Sequence, residues 1–212
     1  MNSDILTIFK PGTAEIEVKR SIFIGFATHV NDEAQALAVV EARRALYPDA
    51  THTVYAYSLR ENNTSRFCDD GEPHGTSGVP VLEVIRKSGL SDICICVTRY
   101  FGGTLLGAGG LVRAYTAAAN AALEASERGS LTTWYKYLIT LPYQHLDKFS
   151  YELGKISAKT DNAEYTENVT LTVSIAGANV PLLEALFSSV FPGQKLPGSI
   201  KQFMAPLPEK SQ

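Results

Sequence analysis

The run Asp92–Phe101, DICICVTRYF, is apolar at every position from Ile93 to Val97, so a strand built from it has both faces buried. A strand of that kind belongs in the middle of a sheet. Cys94 and Cys96 then share one face and read as inert buried thiols. Downstream, Gly102–Gly110 is glycine-rich and leads into an alanine-rich helix reaching about Ser126. Leu111, Val112, Tyr115, Ala118, Ala119, Ala122 and Leu123 lie on one broad face of it. Its small residues permit close packing on the sheet. Upstream, Val79–Lys87 reads as a short helix capped by Thr76 or Ser77, with Pro80 tolerated in its first turn. Thr51–Leu59, THTVYAYSL, alternates as a strand.

The segment Asp4–Val30 reads as three strands, ILTIF, AEIEV and SIFIGFATHV, arranged most simply as an antiparallel meander. A helix follows, with Asn31 as its cap and Pro48 as its stop. Arg128, Gly129 and Ser130 break the pattern, which places a domain boundary between 1–130 and 131–212. The second part reads strand (TTWYKYLITL), helix (143–156), strand (160–166), strand (NVTLTVSIA), helix (181–190, capped by Asn179) and strand (199–204). That order, βαββαβ, is ferredoxin-like, so the fold class is α+β. The tail APLPEKSQ reads as frayed.

The 212 residues are 45% hydrophobic and 19% charged, with mean hydropathy near zero, which describes an ordinary globular chain. Residues 1–130 carry 12 Lys+Arg against 15 Asp+Glu, and 131–212 carry 7 of each, so neither part is a basic module and any nucleic-acid site must be local. No apolar stretch is long enough to span a membrane, and MNSDILTIF is a poor signal peptide. Three cysteines without a CxxC pair signal neither disulfides nor zinc and suit a reducing compartment. A cytoplasmic protein is expected.

Chemistry concentrates in two places. Arg66–Thr76, RFCDDGEPHGT, holds Asp69, Asp70, Glu72 and His74 within six positions. Oxygen ligands in such a loop could hold a hard divalent cation, or Asp70 or Glu72 could act as a base with His74 as acid. The alternative is structural: Asp69 and Asp70 cap turns or the following helix or pair with Arg66 or Arg99, while Gly71 and Gly75 supply positive φ. Cys68, among acidic neighbours, is a weak nucleophile. His29, His52 and His145 read as structural or surface histidines, and Trp134, Tyr135 and Tyr137 as core or an exposed aromatic surface.

Thr98–Arg113, TRYFGGTLLGAGGLVR, passes from a strand through glycines into a helix N-terminus, where backbone N–H groups can meet an anion. Arg99 and Arg113 would add charge, and Tyr100, Phe101 and Tyr115 could stack bases. No Lys follows Gly107 and Val112 stands where GxGxxG needs glycine, so a nucleotide triphosphatase is disfavoured. Alternatively the glycines serve packing and the arginines pair with the acidic loop.

Together, Arg66–Pro80 and Thr98–Tyr115 resemble the paired motifs of the IMPACT family, in particular its bacterial YigZ-type members, and THTVYAY fits as well. The resemblance implies an N-terminal α/β domain like those of a small-subunit ribosomal protein and elongation factor G. It also implies a C-terminal domain similar to elongation factor G domain five. Eukaryotic relatives are translational regulators with an additional partner-binding domain. The motif residues carried over are Arg66, Asp69, Asp70, Gly71, Glu72, Gly75 and Thr76, then Arg99, Gly102, Gly103, Gly107, Gly109, Gly110 and Arg113. The expectation is a non-enzymatic protein without cofactor that binds RNA, the ribosome or a protein partner in translation control. A metal-assisted hydrolase using Asp69, Asp70 and Glu72, and an interaction scaffold, are the alternatives.

Overall fold

The computed structural model describes residues 5–208 and is mixed α+β, with two five-stranded sheets and five α-helices among those residues. It divides into two compact units, one running to Leu131 and including the segment from Pro206, the other Thr132–Ala205.

In the first unit, β2 (Gly12–Val18), β3 (Ser21–His29), β6 (Ile93–Tyr100), β4 (His52–Leu59) and β5 (Thr64–Cys68) lie in that order, every pair antiparallel. The doubly apolar run is thus the central strand. Period-two alternation splits it: Ile93, Ile95 and Val97 enter a core with α2 (Gly78–Ser88) and α3 (Ala108–Glu124). Cys94 and Cys96 enter the other core, with Val40 of α1 (Glu33–Leu46), and their thiols are free. Each fully buried aliphatic side chain here contributes about 1.5–3 kcal/mol. Helix α3 lies so close to β3 that a Cβ on Gly25 would stand 2.3 Å from the Ala118 carbonyl oxygen.

Several sequence expectations change. The strand β1 (Ile5–Lys10) leaves the meander and pairs with β7 (Glu127–Leu141), Ile5 opposite Leu131. Arg128–Ser130 are no break, because β7 runs through them. Gly129 is needed there for closeness, since its Cβ would sit 2.2 Å from the Leu207 carbonyl oxygen. Asp32, not Asn31, caps α1 by accepting from the Gln35 amide, and Asn31 donates to the Gln35 side chain. Pro206 lies within β10 (Lys201–Pro208), so much of the tail is strand, and its last four residues lie outside the described ones.

In the second unit β9 (Val169–Ala176) lies between β7 and β8 (Lys159–Tyr165), and β10 pairs with β7. With α4 (Tyr143–Lys155) and α5 (Val180–Val190), this is the βαββαβ order expected. Tyr137, Ile139 and Leu141 pack with Phe149, Leu153, Leu183 and Phe187. The alternate residues Trp134, Lys136, Leu138 and Thr140 belong to the other face. Asn179 precedes α5 without a side-chain cap and donates instead to the Ile156 carbonyl.

Candidate functional site

Alternation along β6 carries Arg99 onto the same face as Ile95 and Val97, opposite Phe23 of β3 and His52 of β4. A guanidinium buried to 5% exposure demands partners, and the acidic loop supplies one. Arg99 Nη1 donates to Glu72 Oε1 at 2.6 Å, and the Tyr115 hydroxyl donates to the same oxygen at 2.7 Å. Arg99 Nη2 reaches Ser21 Oγ at 3.3 Å, while its Nε has no partner among the described residues. His52 Nε2 stands 4.0 Å from Glu72. Burial, and after it the Glu72 carboxylate, push the Tyr115 phenol far above its ordinary range, so it stays a donor.

The neighbouring carboxylates serve other ends. Asp69 accepts the amides of Gly75, Ser77 and Gly78 and the Ser77 hydroxyl, so it caps α2 from outside while Ser77, at the cap position, makes no side-chain cap bond. Burial works to raise the Asp69 pKa, and these donors outweigh it, holding the carboxyl below its ordinary value. Asp70, at φ 47°, pairs with Arg44 at 2.8 Å and accepts the Thr53 amide at 2.7 Å. Its carbonyl accepts from His52 Nδ1. Thr76 is buried and donates to the Pro73 carbonyl.

Above the Arg99–Glu72 pair lies a cleft of about 420 Å³. Both motifs line it: Gly71, Glu72 and Pro73 from the first, and Arg99, Phe101, Leu105, Leu106, Gly107, Ala108 and Leu111 from the second, with His52 between. Gly107 and Ala108 start α3, where the helix dipole favours negative charge. Leu106 is also a wall of a second hollow, about 260 Å³, formed with Val18, Lys19, Gly110 and Arg113. Lys19 and Arg20 form the two-residue turn between β2 and β3, at φ 48° and 67°. Arg20 donates to Thr104 Oγ1 at 3.2 Å. Lys19, Arg20 and Arg113 are exposed, and among the described residues none has a carboxylate partner.

The two motifs therefore meet, but not as one arginine pair. Arg99 is neutralised inside the cleft, and Arg113 lines the second hollow. Tyr100 alternates to the opposite face and packs on Tyr47, and Tyr115 is buried, leaving Phe101, 46% exposed, as the accessible aromatic of the three. Gly102 donates to Ser21 Oγ, and its Cβ would fall 2.0 Å from the Arg20 carbonyl carbon, so it seats the loop against the hairpin. Gly103 is in the left-handed region at φ 77°, and Gly109 lies in the first turn of α3. Arg66 sits on the edge strand β5 and bonds the Ser65 carbonyl, lining neither hollow. His74 is exposed and 3.6 Å from Asp69, away from Glu72. The three acidic side chains turn to different partners, and among the described residues no His, Cys, Asp and Glu side chains form a metal-sized group. Lys19 and Arg20 escaped the sequence reading, although two adjacent basic residues between alternating strands, where Asn-Gly is the ordinary turn, were a visible signal.

The Impact N-terminal domain family matches residues 19–123, and the family described as Domain of unknown function (DUF1949) matches 139–194. The Escherichia coli protein called IMPACT family member YigZ is 38% identical over 173 residues, 80% of this chain and 85% of its own. IMPACT family member YvyE of Bacillus subtilis is 37% identical over 167 residues, 77% and 76% of the two chains. A crystal structure of a hypothetical protein aligns over the whole of both chains at 32% identity with a TM-score of 0.58.

Proposed function

The chain belongs to the IMPACT family, and from that premise we propose that it is a non-enzymatic binding protein of translation control, whose first unit grips RNA, free or on the ribosome. The observation that carries this reading is the exposed, unneutralised trio of Lys19 and Arg113, which line the second hollow, and Arg20, beside Lys19 in the turn, that hollow sharing Leu106 with the cleft both motifs line. Phosphates take the basic rim and the start of α3, while Phe101 offers a face to a base. Three cations make a small footprint in a chain of net charge −3, so affinity is modest and salt-sensitive. A hydrolase built on Asp69, Asp70 and Glu72 has less support, because each carboxylate is held by different partners. Leu105, 82% exposed at the rim, favours a second reading in which a protein segment fills the cleft.

The test is fluorescence polarisation of labelled tRNA and single-stranded RNA across a salt series. Lys19→Ala with Arg113→Ala should lower the slope of log affinity against log salt by about 1 for each phosphate that is no longer neutralised. An unchanged slope in the double variant removes the RNA reading and leaves the protein partner.

A further inference from the structure

We propose that the face of the second unit's sheet opposite its helices seats a nucleotide, with its base against Trp134 and Phe203 and its phosphate on Lys159. The helices and the aliphatic core take one face of this sheet, and the other carries a hollow of about 260 Å³. Trp134, Lys136, Lys159, Asp161, Ser174 and Phe203 line it. The Trp134 and Phe203 rings lie 6.4 Å apart and 24° from parallel. Lys159 Nζ stands 5.1 Å from the Trp134 ring, and Lys136 Nζ 5.9 Å from the Phe203 ring.

Two further observations point to a ligand. Trp134, whose side chain helps to line the hollow, is 3% exposed, yet its indole N–H has no acceptor among the described residues, an uncommon state for a buried donor. The charge is also unbalanced. Asp161 accepts from Lys136 at 2.7 Å and from Ser174 at 2.6 Å, which leaves Lys159, exposed on its strand, with no carboxylate within pairing distance among the described residues. A nucleotide answers each demand: a flat ring for the aromatic platform, a ribose oxygen beside the ring edge for the in-plane indole N–H, and an anion for the spare ammonium. The Lys159 stem is flexible, so its ammonium can leave the indole face for the phosphate and uncover the ring. Aromatic stacking joined to lysine charge is how single-stranded nucleic acids are held. This seat stands independently of the first unit's cleft.

Trp134 is the chain's sole tryptophan, so its emission reads this hollow alone. The full chain is titrated with 5′-AMP and with a short oligoadenylate. Saturable quenching is expected, weakened about tenfold by Lys159→Ala, retained by Lys159→Arg, and unchanged by Lys19→Ala with Arg113→Ala. Tighter binding of the oligoadenylate identifies a strand as the source, and equal binding a free nucleotide. Emission unmoved by either probe at millimolar concentration, or quenching unaffected by Lys159→Ala, overturns the seat. RNA polarisation that depends on Lys19 and Arg113 while Trp134 stays silent leaves the first-unit reading standing and removes this one.

Discussion

Arg99 and Glu72 are each buried and hold one another at 2.6 Å, with Tyr115 closing on the same carboxylate oxygen. This ion pair ties the glycine-rich segment to the acidic loop, so the two motifs stand or fall as one unit. Removing one partner strands the other charge in a buried position. Arg99→Ala should therefore lower unfolding free energy by about 3–5 kcal/mol, measured by urea denaturation. A change within about 0.5 kcal/mol would show that the pair is not what joins the motifs. The same logic makes Arg99→Ala a poor probe of ligand binding, because any weakening would come with unfolding.

Tyr115→Phe removes one donor to that carboxylate and keeps the packed ring, which lies edge-on to Phe23 with centroids 5.2 Å apart. Loss of a hydrogen bond to a charged acceptor should cost about 1.5–3 kcal/mol in the same denaturation experiment. Tyr115→Phe in the Arg99→Ala background should show coupling, the two effects failing to add.

Asp69 gives the protein a pH-dependent element. Its carboxyl is held below the ordinary 3.8 in the folded state, so its contribution is complete above that value and disappears as pH falls through the lower, folded pKa. Asp69→Asn turns an amide toward backbone N–H groups that require an acceptor, and should cost about 1–3 kcal/mol at neutral pH. That deficit should narrow in acid. A gap between variant and parent that stays constant from neutral pH down through the ordinary carboxylate range would contradict the capping role.

Phe101 separates stacking from charge. Half exposed at the cleft rim, with its ring 5.5 Å from the Arg99 guanidinium, it can be removed at a cost of about 0.5–2 kcal/mol, which leaves the fold intact. In RNA titrations Phe101→Ala should weaken affinity, by about 1–3 kcal/mol if a base stacks there, with no change in salt slope. A changed slope would mean that the ring acts by placing the nearby charges.

Much of this was written in the sequence. The central strand followed from a run apolar on both faces, and the βαββαβ order followed from alternating periodicities. What stayed hidden were long-range choices. Nothing local told Ile5 that its partner is Leu131, or showed that Leu207 would press on Gly129 and make that glycine part of a strand. At the site, the pairing of an arginine with the acidic loop was one of two open readings, and only the alternation of β6 against the loop's path decided that Arg99 meets Glu72 while Arg113 does not. Arg20 and Lys19 were missed because a turn is ordinarily searched for its glycine.

That turn has a cost and a reason. Two bulky residues held in the left-handed region oppose folding by about 1–2 kcal/mol each, where Asn-Gly would sit without strain. Lys19→Asn with Arg20→Gly should accordingly raise the melting temperature while weakening RNA binding. On the RNA-binding proposal the hairpin trades durability for binding, and a variant selected for heat resistance alone should drift toward weaker RNA affinity.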